Sequence, residues 1–336
     1  MAEVLATNTP ELFRSAVIAA AERLRDGAVV ALPTETVYGL AANALDPAAV
    51  RRIYEIKERP ARNPIIVHVD GVTMARRCVR EWPEAAQRLA DAFWPGPITF
   101  VLPKSELIPD IVTAGGTTVG IRWPGHPIMR ETIKACGFPL AAPSANPSNE
   151  LSPTNAEHVR RRLGDRLPLI VDGGQSQIGI ESTVVDLTAT PVRILRPGLI
   201  HEESIEAALN AEVVVGGDPG DGTLLSPGQL LKHYSPRARL TILAWRDKAD
   251  LIAQIKPFSG DRSRWWLLTH SNVPLCFEAS QVCVVPHDPE AYARALYAEL
   301  HRCDEAGAER VFVEAVPDAP EWRGITDRLR RAAAEG

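Results

Sequence analysis

Residues 46–69, DPAAVRRIYEIKERPARNPIIVHV, contain a helix, a basic turn and a buried strand in direct succession. Asp46 is the predicted N-cap of the helix, and Pro47 occupies its first turn. Pro60 ends the helix, because proline has no amide donor and disfavours α geometry in the residue before it. The apolar run at 63–69 predicts a buried strand. This order of elements is typical of an α/β protein.

The turn KERPARNP (57–64) concentrates positive charge at the end of that helix. It holds Lys57, Arg59 and Arg62 against a single acid, Glu58. Lys57 lies on the same helix face as the apolar residues three, four and seven positions before it, so it points toward the interior edge of the domain. Two interpretations stay open. Lys57 either extends to solvent past the core or is held over a polyphosphate with the two arginines.

The remaining sequence predicts two α/β regions joined by a linker. Up to about residue 200, strands and helices alternate without a helix between every strand pair, which indicates a mixed sheet. The composition changes in residues 201–236, which become rich in glycine and proline. This predicts a linker after one short helix. From 238 onward, strands and helices alternate regularly and predict a small three-layer α/β domain.

Composition excludes several protein classes. The net charge is −5, which argues against nucleic-acid binding by the whole surface, although a local basic cleft remains compatible with it. The five cysteines form no CxxC pair, and this favours reduced thiols in the cytosol. We find no signal-peptide pattern and no apolar stretch long enough to span a bilayer, so we expect a cytoplasmic protein without membrane contact.

Several polar residues near predicted strand ends are candidates for a binding site. LPTETVYGL (32–40) places Thr36 among other hydroxyls, and these are either ordinary strand residues or contacts for a small polar ligand. His68 within IIVHV is either a satisfied core histidine or a site residue. Arg122 is either a surface charge or, if its face of the strand is covered, a residue that needs an anionic partner such as a substrate carboxylate.

Further polar segments each have an ordinary structural explanation when taken singly. APSANPSNELSPT (142–154) fits a turn-rich loop, with Thr154 as the candidate N-cap of the next helix. GIESTVVDL places Ser182 at a strand entrance, ILRPG places Arg196 at a strand end, and KHYSP places Tyr234 in the linker. The order in which these segments occur is more informative than any one of them.

Taken together, PTETVYGL, KERPARNPIIVHV, WPGPITFVL, TTVGIRWPGHP, APSANPSNELSPT, IGIESTVVDL, ILRPG and SPGQLLKHYSP resemble the threonylcarbamoyl-AMP synthase family. The likeness covers residues 12–236 in order. It implies an α/β fold with a YrdC-like twisted mixed sheet and helices at 1–205. An interdomain linker or lid at 206–237 and a smaller Rossmann-like C-terminal α/β domain at 238–336 follow.

The resemblance implies that L-threonine, bicarbonate and ATP give threonylcarbamoyl-AMP and pyrophosphate. A downstream threonylcarbamoyl transferase complex then modifies the adenosine beside the anticodon of certain tRNAs. Mg²⁺ is expected on the phosphates of ATP, with no metal held by the protein itself. Such chemistry depends on positioning and electrostatics and needs no protein nucleophile.

The resemblance also implies roles for individual residues. Lys57 and Arg59 are implied to be catalytic. The implied ATP-binding residues are Lys57, Arg59, Asn63, Thr118, Ser144, Asn146, Ser152, Arg196 and Tyr234. The implied threonine-binding residues are Thr36, His68, Arg122, Ala142 through its backbone, and Ser182. Arg122 is expected to take the threonine carboxylate, and Tyr234 is expected to belong to a lid over ATP.

Three other functions are compatible with parts of the sequence. An RNA-binding module would use a local basic cleft, and even the synthase could make a weak contact with tRNA. A carbamoyl-transferring maturation enzyme would carry cysteine-rich zinc modules and an acylphosphatase-like segment, which this sequence lacks. A regulatory role of the C-terminal domain is compatible with any of these functions.

Overall fold

The computed structural model describes residues 2–216, 234–271, 273 and 281–334. The described chain divides into two compact units. The first comprises residues 2–148, 152–177 and 181–216, and the second comprises 149–151, 178–180 and the described residues from 234 onward. Of the predicted linker at 206–237, residues 217–233 lie outside the described chain, so its boundaries stay a prediction.

The first unit is built on one sheet of eleven strands in the described chain. Its strand order is β1-β8-β2-β3-β7-β4-β6-β5-β9-β10-β11. The strands are β1 (Glu3–Ala6), β2 (Val30–Leu32), β3 (Gly39–Asn43), β4 (Val67–His68), β5 (Ile98–Pro103), β6 (Thr118–Arg122), β7 (Leu140–Ala141), β8 (Leu169–Asp172), β9 (Thr183–Asp186), β10 (Val192–Arg196) and β11 (Val213–Val215).

In its described residues, the same unit has seven helices. They are α1 (Pro10–Arg25), α2 (Pro47–Lys57), α3 (Val72–Cys78), α4 (Glu84–Phe93), α5 (Pro127–Cys136), α6 (Ala156–Leu163) and α7 (Glu202–Leu209). The predicted start of α2 is confirmed, because the Asp46 side chain accepts a hydrogen bond from the Ala48 amide at 2.8 Å. The predicted cap Thr154 is wrong. Asn155 caps α6 instead and accepts from the His158 amide, one residue further along the chain.

The sheet contains both parallel and antiparallel pairs, which confirms the predicted mixed sheet. Strand β4 runs parallel to β6 and antiparallel to β7, and its residue His68 is the register partner of Arg122 on β6. It is much shorter than the predicted strand at 63–69. The carbonyls of Asn63 and Pro64 accept hydrogen bonds from the Arg59 side chain, and Pro64 has no amide to donate. The strand therefore begins only after these residues.

A continuous apolar core holds the strands and helices of the first unit together. Leu32, Leu40, Val67 and Phe100 on the sheet are almost fully buried, as is Leu24 of α1. At about 25 cal/mol per Å² of apolar surface, each such side chain contributes roughly 2 kcal/mol of burial free energy. His68, Arg122 and Arg196 lie on strands of this sheet, so the packed core fixes the backbone of these three site residues.

The described residues of the second unit form a four-stranded parallel sheet in the order β12-β15-β13-β14. Its strands are β12 (Arg239–Leu243), β13 (Trp265–Thr269), β14 (Val282–Val284) and β15 (Arg310–Glu314), and its helices are α8 (Lys248–Ile255), α9 (Pro289–Glu305) and α10 (Arg323–Ala333). The predicted alternation of strands and helices is confirmed. Within the described residues of both units, no helix is sufficiently long and apolar to cross a bilayer.

Candidate active site

The basic turn places Lys57 inside the first unit. The Lys57 side chain is 1% exposed, and its ammonium donates hydrogen bonds to the backbone carbonyls of Ser144 and Asn146. In return, the amide of Ser148 donates to the Lys57 carbonyl at 2.9 Å. Of the two interpretations left open by the sequence, extension to solvent is excluded. Lys57 instead fixes the loop that carries two of the predicted nucleotide-binding residues.

Arg59 shapes the rest of the turn. Its guanidinium donates to the Asn63 carbonyl at 2.9 Å and to the Asn63 side-chain oxygen at 2.8 Å. Glu58, between the two cations, adopts a left-handed conformation with φ of 52° and ends helix α2. On either side of this reversal Lys57, Arg59 and Asn63 are all buried.

Arg122 is the centre of a second polar cluster. Its guanidinium donates to Glu35 Oε1 at 2.6 Å, to Thr36 Oγ1 at 2.9 Å and to the Gly96 carbonyl at 3.2 Å. Arg122 and Glu35 are both less than a tenth exposed. The sequence left open whether Arg122 is covered, and the structure shows a covered arginine with an anionic partner. That partner, Glu35, was not among the predicted site residues.

His68 lies beside Arg122, since the two residues are partners in the parallel pair of β4 and β6. The ring is 3% exposed, and its Nδ1 has no hydrogen-bond partner among the described residues. Burial lowers the pKa of His68 to about 3, and the nearby Arg122 charge acts in the same direction. The imidazole is therefore neutral near pH 7.

Glu35, unlike the neutral His68, is charged. Burial alone would raise the pKa of Glu35, but the Arg122 charge and the Gly125 amide lower it overall, so the carboxylate is ionised at neutral pH. Its second oxygen, Oε2, is buried and has no hydrogen-bond partner in the described chain. Two buried polar atoms without partners, Glu35 Oε2 and His68 Nδ1, thus belong to residues that flank one guanidinium. Such atoms call for a specific explanation in a native structure.

Ser182 and Arg196 form a third group, on β9 and β10. The Arg196 guanidinium donates to the Ser182 hydroxyl and to its carbonyl, both at 3.1 Å, and the hydroxyl also contacts the Thr99 hydroxyl at 2.8 Å. This group connects to the Arg122 cluster through a short segment. Arg122 donates to the Gly96 carbonyl, and the Thr183 amide donates to the next carbonyl, Pro97.

The other predicted residues of the first unit lie on elements next to these clusters. The Ala142 amide donates to the Ile66 carbonyl at 3.0 Å, which fixes the Ala142 backbone beside β4. Asn146 is buried, and Ser144 precedes it in the loop that Lys57 holds. Thr118 begins β6 and shares a face with Arg122. The Ser152 hydroxyl donates to Glu181 Oε1 at 2.5 Å.

Tyr234 belongs to the second unit and is described there by itself. It is 1% exposed, has a φ of 60°, and packs near Tyr297 with ring centroids 6.2 Å apart. The Arg328 guanidinium carbon lies 5.3 Å from the centre of the Tyr234 ring. These contacts fix the tyrosine in its own unit. The proposed lid role of Tyr234 stays a prediction.

Three residues that contribute to these clusters were missed by sequence reasoning: Glu35, Thr99 and Glu181. Each pairs with a predicted residue, namely Arg122, Ser182 and Ser152 respectively. A usable signal existed for Glu35, because a buried arginine on β6 requires a carboxylate and Glu35 is an acid directly after a buried strand. The Thr99–Ser182 contact lies beside the pairing of β5 with β9, whereas Ser152 and Glu181 meet in segments outside the strands.

Comparisons with known proteins agree with this arrangement. The family described as "Telomere recombination" matches residues 22–198, and the family described as "Threonylcarbamoyl-AMP synthase, C-terminal domain" matches residues 200–334. Threonylcarbamoyl-AMP synthase of Pyrococcus abyssi is 39% identical, over 94% of this chain and 93% of the relative. The Bacillus subtilis protein of the same name is 39% identical, over 98% and 94% of the two chains.

A solved structure supports the same relationship. The crystal structure of Pyrococcus abyssi Sua5 complexed with L-threonine matches with a TM-score of 0.89 and 37% identity, over 99% of this chain and 97% of that chain. The fold of this chain, with a mixed sheet in one unit and a parallel sheet in the other, is therefore shared along nearly its whole length. On both sequence and structure, the chain belongs to the threonylcarbamoyl-AMP synthase family.

Proposed function

We propose that this chain converts L-threonine, bicarbonate and ATP into threonylcarbamoyl-AMP and pyrophosphate. The observation that carries the proposal is the Arg122 cluster. It offers a buried guanidinium, a threonine hydroxyl, an ionised carboxylate and a neutral imidazole, and two buried atoms there have no hydrogen-bond partner among the described residues. A small amino acid with charges of both signs and one hydroxyl group matches that set.

Arg122 is suited to bind the carboxylate of threonine. A guanidinium has five N–H donors, and three of them are engaged by Gly96, Thr36 and Glu35, which leaves two. Two donors from one guanidinium can hold a carboxylate in the bidentate geometry that arginine favours. Glu35 keeps the cluster close to neutral before the substrate enters, which limits the cost of burying the cation.

The two buried polar atoms without partners in the described chain suit the amine and the hydroxyl of threonine. Glu35 Oε2 can accept a hydrogen bond from the amine of threonine, and His68 Nδ1 can pair with its hydroxyl in either tautomer. Valine would leave such polar atoms unpaired, whereas threonine would satisfy them. Discrimination of this kind is large because unpaired buried polar groups are costly.

The reaction itself needs two new bonds and no protein nucleophile. The amine nitrogen of threonine attacks the carbon of CO₂ derived from bicarbonate. A C–N bond forms as one C=O π bond opens and its electron pair moves to the oxygen, and the amine proton passes to solvent, which leaves a carbamate anion. A carbamate oxygen then attacks the α-phosphorus of ATP. As the new O–P bond forms, the bond to the β-phosphate oxygen breaks and pyrophosphate leaves. The charge that spreads over the phosphates is stabilised by fixed cations, which we assign to Lys57 and Arg59.

We assign the nucleotide to the residues around the basic turn and its neighbours. Lys57 holds the loop of Ser144 and Asn146 while adding its own charge, and Asn63 is held by Arg59. Thr118, Ser152 and Arg196 complete the proposed ATP site in the first unit. Mg²⁺ bound to the triphosphate would neutralise part of its charge. Among the described residues, no three His, Cys, Asp or Glu side chains are placed to hold a metal ion, so its ligands would be phosphate oxygens.

The finer parts of the proposal concern the lid and the fate of the product. We keep 206–237 as a linker that closes over ATP with Tyr234, between a catalytic domain at 1–205 and a C-terminal domain at 238–336. Unchanged ATP affinity and turnover in Tyr234→Ala would contradict the lid. The product is a reactive mixed anhydride, and its consumer in the cytoplasm is proposed to be a transferase complex acting on tRNA.

The test measures pyrophosphate release from ATP in the presence of bicarbonate. Parallel reactions contain threonine, serine, valine or no amino acid. We expect release that requires both bicarbonate and threonine, with serine much slower because it lacks the methyl group and valine slower still. Release that ignores the amino acid, or ATP binding without release, would contradict the proposed reaction.

A further inference from the structure

Arginines stand at the amino ends of neighbouring strands in the second unit. Arg239 begins β12, Arg310 begins β15, and Arg264 directly precedes β13. Strand β15 lies between the other two, and Arg239 is the register partner of Arg310. Adjacent strands are about 4.8 Å apart, so two guanidinium groups start side by side. Like charges in such positions destabilise a sheet unless something neutralises them.

A hollow of about 570 Å³ opens at this edge of the sheet. The volume is within the range of sites for small molecules. Its charged lining consists of four arginines and two acids, and the remaining lining residues are small. The lining is Arg237, Arg239, Ser259, Arg264, Asp304, Gly307, Ala308, Glu309 and Arg310.

The two acids neutralise only two of the four arginines. Glu309 pairs with Arg264. The Asp304 carboxylate accepts from the backbone amide of Arg237 at 3.0 Å and lies 3.8 Å from the Arg237 Nε atom. The same two arginines also donate to carbonyls at and just after the end of α9, so they offset the negative end of that helix. The charges of Arg239 and Arg310 are left without an acid in the hollow.

These two remaining arginines differ in how they are held. Arg310 donates from Nε to the Ser259 carbonyl at 3.3 Å, and its guanidinium carbon lies 5.0 Å from the centre of the Phe258 ring. The contacts fix the guanidinium while its terminal nitrogens keep their donors. Within the described part of the chain, the Arg239 side chain has no hydrogen-bond or ion-pair partner. Both can therefore donate to an anion without breaking an existing ion pair.

We propose that this hollow binds a small anion with two or more phosphoryl groups, such as pyrophosphate or the phosphate chain of a nucleotide. Paired guanidinium groups match the geometry and charge of phosphate oxygens. Among the described residues, the lining includes no aromatic side chain on which a base could stack, so we assign recognition to the phosphates. The proposal does not depend on the proposed reaction, because the residues of the hollow are separate from those assigned to catalysis.

The test is calorimetric titration of the full-length chain with pyrophosphate, at low and at raised ionic strength. Lys57→Ala weakens binding to the proposed catalytic site, so the remaining signal reports the hollow. We expect the Lys57→Ala variant to bind one pyrophosphate, with an affinity that falls as the salt concentration increases. Adding Arg239→Gln or Arg310→Gln should weaken that binding about tenfold or more, as for the loss of a charge-assisted hydrogen bond.

The matched control is Arg246→Gln, which removes an arginine of the same unit that does not line the hollow. It should leave pyrophosphate affinity unchanged. If Lys57→Ala does not fold, the test compares the wild-type chain with Arg239→Gln. The wild type should then bind two pyrophosphates and the Arg239→Gln variant one. The proposal is overturned if Arg239→Gln binds as the wild type does. It is also overturned if only tRNA, and not pyrophosphate, binds in a way that depends on Arg239.

Arg239→Gln should retain threonine-dependent pyrophosphate release. This readout separates the two proposals. Loss of the reaction in the wild-type chain would contradict the proposed function and leave the binding result intact, whereas unchanged binding in Arg239→Gln would contradict only the anion site.

Discussion

The Arg122 cluster of the first unit and the arginine hollow of the second use the same side chain in opposite ways. Arg122 is 4% exposed, and protein atoms occupy three of its donors, including an ion pair with a buried acid. Arg239 is exposed and has no partner among the described residues. One arginine is fixed before any ligand binds, while the other is available to whatever anion enters.

The difference teaches how a buried cation can serve both stability and recognition. A buried charge must be paired, so Arg122 needs Glu35 for the fold to be stable. The same pairing orients the guanidinium and leaves two donors for a substrate. An exposed arginine needs no partner and contributes little to stability, so Arg239 can bind an anion without weakening the fold. Four predictions test this contrast, from the largest expected effect to the smallest.

Arg122→Met should have the largest effect. It leaves the Glu35 carboxylate buried without its cation, which typically costs about 3–5 kcal/mol of unfolding free energy. Urea unfolding measures that loss, and threonine-dependent pyrophosphate release should fall to background. The double variant Arg122→Met, Glu35→Leu serves as the control, since it removes both charges. It should recover most of the stability and none of the activity. If the double variant is active, Arg122 does not bind the substrate carboxylate.

The pH dependence of stability should reveal His68. Its folded pKa of about 3 lies below the usual value of 6.5, so between these values the unfolded chain binds the proton more readily than the folded chain. Stability contributed by neutral His68 is therefore complete above about pH 6.5 and is lost as pH falls toward 3. The loss is about 1.4 kcal/mol per pH unit within that window.

The measurement compares urea unfolding of the wild type and His68→Gln from pH 7 to pH 5. The difference in slope isolates His68 from His126, whose pKa burial also lowers. Glu35 does not interfere in this range, because its lowered pKa makes it lose stability only below about its ordinary value of 4.5. Equal slopes for the two chains would show that His68 is not a buried neutral residue.

Lys57→Met should have an intermediate effect on stability and a large one on catalysis. The Ser144 and Asn146 carbonyls lose a charged donor, and a buried group left without its partner costs about 1–3 kcal/mol. Activity should fall with a raised KM for ATP, while threonine affinity, measured directly by calorimetry, stays near the wild-type value. Arg62→Met, in the same turn but exposed, is the control and should change little. A threonine affinity that falls as much as the ATP affinity would contradict the division of the site.

The sequence was most informative where local rules act alone. The start of the helix at 47–57 and its cap followed from Asp46 and Pro47, and the regular alternation after residue 238 predicted a second α/β domain. The helix was predicted to run to the residue before Pro60, whereas the left-handed Glu58 ends it at Lys57. Short edge strands were missed. Strands β1 and β11 have three or four residues, and β3 follows closely after β2 in an antiparallel pair that the spacing did not signal. Such strands are defined by their neighbours rather than by their own pattern.

The candidate site shows the same limit. The resemblance supplied the positions of Lys57, Arg122 and His68, and the structure brings them to buried positions on or beside the sheet. The pairing of Arg122 with Glu35 joins residues 87 positions apart, and the pairing of Ser182 with Thr99 joins residues 83 positions apart. No local rule predicts which side chains meet across such sequence separations. The length of β4 was also misjudged, because the Arg59 side chain replaces strand partners for two carbonyls.

Arg239→Gln should have the smallest effect on stability, and this makes it the direct counterpart of Arg122→Met. Surface substitutions away from packed or paired groups usually change unfolding free energy by less than about 0.5 kcal/mol. The change should even be slightly favourable, because one of two side-by-side positive charges is removed. Urea unfolding at low and high salt measures it, with Arg239→Lys as the control that keeps the charge. A loss of stability comparable to that of Arg122→Met would mean that Arg239 already has a structural partner, and the contrast between an arginine paired with a buried acid and an exposed arginine would fail.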